Sequence, residues 1–225
     1  MKNNLLLKGY IGISVVYLLI ILLGHEAIAW FLKPLLLPFL LFSVYSFEKF
    51  PTKNLLLSAL TFSWIGDVIL MFADKGELYF IFGLVSFLIS HILYIVLFSK
   101  QGTTTDYRKN IIFWIAFILI ILYLKSMLTL LFPKLGDLKI PVSIYSLTIS
   151  AMLLVALKGY FSWKKPANIS ILFGAMFFVT SDSILAINKF YEPLPYAAFL
   201  IMFTYLVAQF AIVVGILKLN TSNKN

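Results

Sequence analysis

Two aspartates lie inside long apolar segments and are the residues best suited to chemistry. Asp67 occurs in the segment SWIGDVILMF and Asp182 in the segment FVTSDSILAI. An acidic side chain at membrane depth is costly, and it usually faces the protein interior or a water-filled cavity. Desolvation and a second nearby carboxylate both disfavour the charged form of such a group. A pair of this kind can therefore divide into a protonated acid and an ionised base.

This pair is compatible with more than one function. Acid-catalysed cleavage of an ether, enol ether or glycosidic-type bond requires a positioned proton donor and an ionised partner. Proton-coupled transport of a small or lipid-like solute requires a carboxylate that titrates, and it would use the same two acids. In a purely structural interpretation each aspartate hydrogen-bonds a neighbouring helix, which is worth about 1 kcal/mol in membranes. The residues themselves leave this choice open.

Six further polar residues are embedded in apolar segments. They are His91, Tyr94, Tyr145, Ser181, Tyr205 and Gln209. Pairs three or four residues apart, such as His91 with Tyr94, share a helix face. We interpret the six as groups that support the carboxylates or bind substrate, although ordinary interhelical hydrogen bonds explain them as well. The two histidines and the acids lack the HExxH or Cys/His spacing of common metal sites, so we predict no metal and no cofactor.

The composition identifies the environment in which these residues act. Of the 225 residues, 62% are apolar and only 12% are charged, too few to cover the surface of a soluble domain. The absence of cysteine excludes disulfides, thiolate metal sites and a cysteine nucleophile. The net charge of +9 is dispersed between apolar segments, which indicates charged loops at a membrane surface and not a nucleic-acid partner.

We predict an all-α, polytopic membrane helix bundle with about eight spans in a single domain of residues 1–225. The spans are predicted near residues 9–24, 28–46, 54–73, 78–99, 110–132, 138–158, 167–188 and 193–218. The second span is the least regular, because Lys33, Pro34 and Pro38 lie inside it. The sequence does not determine the oligomeric state.

The basic residues predict the orientation. With eight spans, twelve of them fall on the side that holds both termini: Lys2, Lys8, Lys49, Lys53, Lys100, Arg108, Lys109, Lys158, Lys164, Lys165, Lys218 and Lys224. Five fall on the other side: Lys33, Lys75, Lys134, Lys139 and Lys189. Because basic loops stay cytoplasmic, we expect a multi-pass protein with both termini in the cytoplasm, in the inner membrane if the source is prokaryotic.

A weak internal repeat links the two aspartates. Residues 62–70 and 177–185 align at their Asp, Ile and Leu positions, within the third and the seventh predicted spans. This favours two halves of four spans in parallel orientation. Asp67 lies 14 residues after Lys53 and Asp182 lies 16 after Pro166, or about 21 and 24 Å of helical rise. At one depth, the two carboxylates can face each other across a central cavity.

The chain resembles the YhhN-like family, which includes the eukaryotic lysoplasmalogenases. The resemblance covers nearly the whole length. The residues that carry it match the family in their order and in their placement on the predicted helices. They are Lys33-Pro34, Gly66-Asp67 with Leu70, Gly83 with Phe87, His91 and Tyr94, Tyr145 with Met152, Ser181-Asp182 with Leu185-Ala186, and Tyr205 with Ala208-Gln209.

The resemblance implies an eight-helix membrane fold and hydrolysis of the vinyl ether bond of lysoplasmalogens. The products would be a fatty aldehyde and a glycerophospho-ethanolamine or -choline, so the expected partners are a lysophospholipid and membrane lipids. Asp67 and Asp182 would supply acid and base as a pair, with His91 and Tyr94 orienting them or a water. We also expect Lys33, beside Pro34 near an interface, to bind the headgroup phosphate. A related ether lipid remains an open alternative as substrate.

Overall fold

The computed structural model describes the backbone of residues 2–102 and 106–221 and the side chains from residue 5 onward. Within these ranges the secondary structure is helical, with no strand, and eight helices are long and apolar enough to cross a membrane. Both predictions, the all-α class and the eight spans, are therefore confirmed. The two chain ends and Lys224, on which part of the orientation prediction depends, lie outside the described residues.

Contacts along the chain divide it into two compact units, Met1–Leu97 and Phe98–Asn225. Four of the eight spans belong to each unit. This division falls where the predicted repeat of four spans would place it. The repeat itself and the single domain of residues 1–225 both stay predictions.

The first unit contains an interrupted second span. Its helices are α1 (Lys2–Leu22), α2 (Glu26–Leu32), α3 (Leu36–Tyr45), α4 (Lys53–Leu70) and α5 (Glu77–Ser99). The second span was predicted as one helix, but a 3-10 turn at Lys33–Leu35 separates α2 from α3. Pro34 and Pro38 have no amide hydrogen to donate, which explains why the regular α-helical bonding stops there.

The second unit begins and ends its spans with short irregular turns. Its helices are α6 (Ile111–Leu131), α7 (Lys139–Ser162), α8 (Ala167–Ala186) and α9 (Ala197–Thr221). A π-helical turn at Ile187–Tyr191 follows α8. The last helix begins at Ala197 and not near residue 193, because Pro193, Pro195 and the positive φ of 56° at Tyr196 precede it.

Glycines bring the third and fourth spans of each unit close together. A Cβ at Gly83 of α5 would lie 2.5 Å from the Leu70 side chain of α4. A Cβ at Gly174 of α8 would lie 2.8 Å from the Ala208 carbonyl oxygen of α9. Small residues at such crossings allow two helix backbones to approach closely in a membrane. Each aspartate therefore lies on a helix that is tightly packed against its successor.

Candidate functional site

Asp67 lies near the C-terminal end of α4, 14 residues after Lys53, and only 5% of its surface is exposed. Its neighbour Gly66 faces α5, since a Cβ there would lie 2.7 Å from the Phe87 ring. The sequence thus positions the carboxylate at a helix crossing that has no space for a larger residue at position 66. A buried carboxylate requires charged or hydrogen-bonding partners, because an isolated charge is strongly disfavoured away from water.

Residues that interact electrostatically with Asp67 lie in the described part of the first unit. They include Tyr10 and Tyr17 of α1, which are 2% and 4% exposed, and Lys33 at the break in the second span. We call these four residues the Asp67 centre. An ammonium group and phenol hydroxyls are the partners that stabilise a carboxylate in its charged form. The partners in the Asp67 centre are therefore suited to stabilising the negative charge of the Asp67 carboxylate within the membrane.

A hydrogen bond fixes the break in the second span against α4. The indole nitrogen of Trp64 donates to the carbonyl oxygen of Pro34 over 2.8 Å. Trp64 lies three residues before Asp67, so both project from the same face of α4. The Pro34 carbonyl oxygen thus gains a donor, since Pro38, four residues on, has no amide hydrogen to offer it. The neighbouring Lys33 interacts electrostatically with Asp67 of α4.

His91 and Tyr94 of α5 are both fully buried in the first unit. The Nδ1 atom of His91 donates to the Phe87 carbonyl oxygen over 2.6 Å, because a carbonyl can only accept. In the neutral imidazole, Nε2 is then an acceptor. Tyr94 interacts electrostatically with Tyr10 of the Asp67 centre. Tyr94 is thus connected to the carboxylate through Tyr10.

Asp182 has a phenol partner in the second unit. The hydroxyl of Tyr145 on α7 donates to Oδ2 of Asp182 on α8 over 2.5 Å. Tyr123 of α6 also interacts electrostatically with Asp182, and its hydroxyl hydrogen-bonds the Ser183 hydroxyl. Asp182 is half-buried, whereas Asp67 is nearly inaccessible. The two carboxylates therefore have different surroundings, which is what two different chemical roles require.

The other predicted residues of the second unit belong to the contact between α8 and α9. Ser181 donates to the Ile201 carbonyl oxygen over 2.9 Å, so its hydroxyl joins two helices. Tyr205 packs edge-on against Phe178, with ring centroids 5.5 Å apart, and Gln209 is fully buried. Interhelical contacts account for the positions of Ser181 and Tyr205.

Four residues next to the aspartates were not predicted: Tyr10 and Tyr17 beside Asp67, and Tyr123 and Ser183 beside Asp182. The first pair carried a signal, because Tyr10, Ser14 and Tyr17 follow the spacing i, i+4, i+7 in an otherwise aliphatic helix. Tyr123 is an isolated tyrosine in an apolar segment, so no pattern distinguishes it from a lipid-facing aromatic residue. Among residues 2–102 and 106–221, no three His, Asp or Glu side chains come together as a metal site would need.

Comparisons with known proteins find one matching family and several similar proteins. The YhhN family matches residues 28–216, a range that contains both aspartates and begins after α1. Human Lysoplasmalogenase TMEM86A is 31% identical over 171 residues, covering 71% of this chain and 63% of that protein. Human Lysoplasmalogenase TMEM86B is 32% identical over 171 residues, covering 73% and 64% respectively. The chain thus spans less than two thirds of the length of these relatives, and no solved structure matches it.

Proposed function

This chain belongs to the YhhN family, and we propose that it is a membrane-embedded hydrolase of lysoplasmalogen-like lysophospholipids. It would cleave the vinyl ether bond to give a fatty aldehyde and a glycerophospho-ethanolamine or -choline. Relatives that are 31% and 32% identical are named lysoplasmalogenases. The observation that carries the proposal is one carboxylate inside the third span of each unit, each close to phenol groups.

The proposed reaction follows from the chemistry of vinyl ethers. A proton added to the β-carbon converts the enol ether into an oxocarbenium ion. Water then bonds to the cationic carbon and loses a proton, and the resulting hemiacetal separates into aldehyde and alcohol. One of Asp67 and Asp182 would donate the first proton, and the other would stabilise the cation or accept the proton of water. The reaction consumes only water and calls for no redox cofactor.

The remaining polar residues take supporting roles in this proposal. His91 and Tyr94 would orient water or the Asp67 centre, and Tyr145 would hold Asp182 in place. Ser181, Tyr205 and Gln209 would keep α8 and α9 in register. For Lys33 we retain the headgroup phosphate as ligand, and its interaction with Asp67 supports a further role as the countercharge of that carboxylate.

Proton-coupled transport remains the alternative. Transporters of this kind interrupt helices at equivalent positions in two repeats. Here one irregular turn lies within the second span of the first unit, and the π-helical turn follows the third span of the second unit. The two interruptions therefore lie at non-equivalent positions of the two units, and this favours the hydrolase over the transporter.

The decisive experiment measures aldehyde release from a lysoplasmalogen by the purified protein in detergent. Wild type, Asp67→Asn, Asp182→Asn and the control Asp74→Asn are compared, since Asp74 is an exposed aspartate between α4 and α5. We expect release by wild type and the control, and a loss of at least about a hundredfold in each of the other two. Full activity of both Asn variants would refute the roles of the carboxylates. An inactive wild type on every vinyl ether lipid would refute the hydrolase.

A further inference from the structure

The buried face of α1 consists of hydroxyl-bearing side chains. Within residues 5–22, the buried positions are Tyr10, Ser14 and Tyr17, and the aliphatic residues around them are partly or largely exposed. Successive members are four and three residues apart, so they form one stripe about 10 Å long on a single helix face. We call these three residues the hydroxyl stripe. A helix that needed only packing would bury its leucines and isoleucines there instead.

Ser14 is the unusual member of the stripe. Several helical serines and threonines of this chain donate to the carbonyl four residues earlier, as Ser126, Ser143 and Thr148 do. The Ser14 hydroxyl does not make this bond. The Tyr10 phenol is its hydrogen-bonding neighbour, and no other group in the described part of the chain reaches Ser14 Oγ with hydrogen-bonding geometry. A buried hydroxyl in this situation is generally satisfied by an internal water.

The stripe lies at the side of Asp67. Tyr10 lies four residues before Ser14 and Tyr17 lies three residues after it, and both interact electrostatically with the Asp67 carboxylate. The position of Ser14 between them on the same helix face therefore directs its hydroxyl toward the Asp67 centre. A water bound there has the Ser14 hydroxyl and the neighbouring Tyr10 phenol as polar partners, and that phenol interacts with the Asp67 carboxylate.

We infer that the hydroxyl stripe binds the hydrolytic water beside Asp67, which makes Asp67 the carboxylate that activates water. The inference rests on the proposed hydrolase function and assigns a role within it. Asp67 has an ammonium group, that of Lys33, as an electrostatic partner, and an ammonium group stabilises the carboxylate form that accepts a proton. Asp182 is then the proton donor to the vinyl ether.

The step balances as follows. The water oxygen forms a bond to the oxocarbenium carbon, and the π electrons of that cation return to the ether oxygen. One water proton passes to the Asp67 carboxylate. The hemiacetal then collapses to aldehyde while its hydroxyl proton goes to the departing glycerol oxygen. Between turnovers the proton on Asp67 returns through solvent to Asp182, which has given its own proton to the β-carbon.

The test is a competition between water and methanol for the cation. In buffer containing methanol, capture by water gives aldehyde and capture by methanol gives a stable mixed acetal, and mass spectrometry quantifies both. We expect Ser14→Ala and Tyr17→Phe each to raise the acetal-to-aldehyde ratio about threefold to tenfold, the equivalent of one lost hydrogen bond to water. Because this ratio is set after the protonation step, a general loss of activity does not change it.

Ser86→Ala is the matched control. It also removes a buried serine hydroxyl of the first unit, but that hydroxyl donates to the Phe62 carbonyl oxygen over 2.6 Å. We expect it to lower thermal stability and leave the ratio unchanged. Aldehyde formation with an unchanged ratio in both stripe variants, or an equal rise in the control, would overturn the water site while leaving the hydrolase intact. A wild type that forms neither product would remove the hydrolase and this inference together.

Discussion

The phenol of Tyr145 donates a 2.5 Å hydrogen bond to Oδ2 of Asp182 and so ties α7 to α8 at the carboxylate. A hydrogen bond of this kind contributes about 0.5–1.5 kcal/mol, and it also fixes the orientation of the acceptor. We expect Tyr145→Phe to lower kcat/KM for aldehyde release by about twofold to tenfold. Steady-state kinetics in detergent measure this. Tyr160→Phe removes a hydroxyl from the same helix and should have no effect, so equal losses in both variants would contradict a specific role for Tyr145.

The two possible roles of Lys33 affect different kinetic constants. If its ammonium group mainly stabilises the charge of Asp67, Lys33→Met should lower kcat about tenfold or more with little change in KM, because the chemical step is impaired. If it mainly binds the headgroup phosphate, KM should rise instead. The interaction between Lys33 and Asp67 leads us to expect the first result. Lys33→Arg, which keeps the charge, should retain more activity than Lys33→Met under either role.

Trp64 supports the break in the second span. Trp64→Phe removes the donor to the Pro34 carbonyl oxygen, and the loss of one such bond should cost about 1 kcal/mol of stability. We also expect lower activity, because Lys33 would no longer be held beside Asp67. Thermal unfolding and aldehyde release measure the two effects. Trp30→Phe serves as control, since Trp30 is 42% exposed. A Trp64→Phe protein that matches wild type in both assays would show that this bond does not position Lys33.

Close packing at Gly174 should make α8 and α9 sensitive to a single methyl group. A Cβ there would lie 2.8 Å from the Ala208 carbonyl oxygen and 2.9 Å from the Ile212 amide nitrogen, which are backbone atoms and cannot move aside cheaply. We expect Gly174→Ala to destabilise the protein by about 1–3 kcal/mol. Gly12→Ala is the matched control, because no atom lies within 4 Å of its added Cβ. Equal unfolding temperatures of the two variants would contradict the packing argument.

The predicted orientation can be tested directly because the chain contains no cysteine. Lys49→Cys lies in a loop expected on the cytoplasmic side, and Glu192→Cys lies in a loop expected on the opposite side. A membrane-impermeant thiol reagent applied to intact cells should label only Glu192→Cys, and permeabilised cells should show both labelled. Labelling of Lys49→Cys alone in intact cells would reverse the orientation.

The sequence by itself determined the membrane class, the eight spans and the presence of two aspartates within those spans. These follow from local properties, because about 20 consecutive apolar residues are enough to specify a spanning helix and an acid within them stands out. Tyr145 was also among the predicted site residues, but its contact with Asp182 was not predicted. The sequence did not resolve the 3-10 turn at Lys33–Leu35, where the prolines inside the span interrupt α-helical bonding.

Only the tertiary structure decided which groups accompany each carboxylate. Tyr10 and Tyr17 lie 57 and 50 residues before Asp67 in the chain, and Tyr123 lies 59 residues before Asp182. Hydropathy assigns such tyrosines to a helix but not to a face of the bundle, because lipid accepts an aromatic ring as readily as a protein interior does. The packing of α1 in the first unit turned its few hydroxyl groups inward and left its aliphatic residues outward. This orientation of α1, which helix packing determines, gives Asp67 its phenol partners.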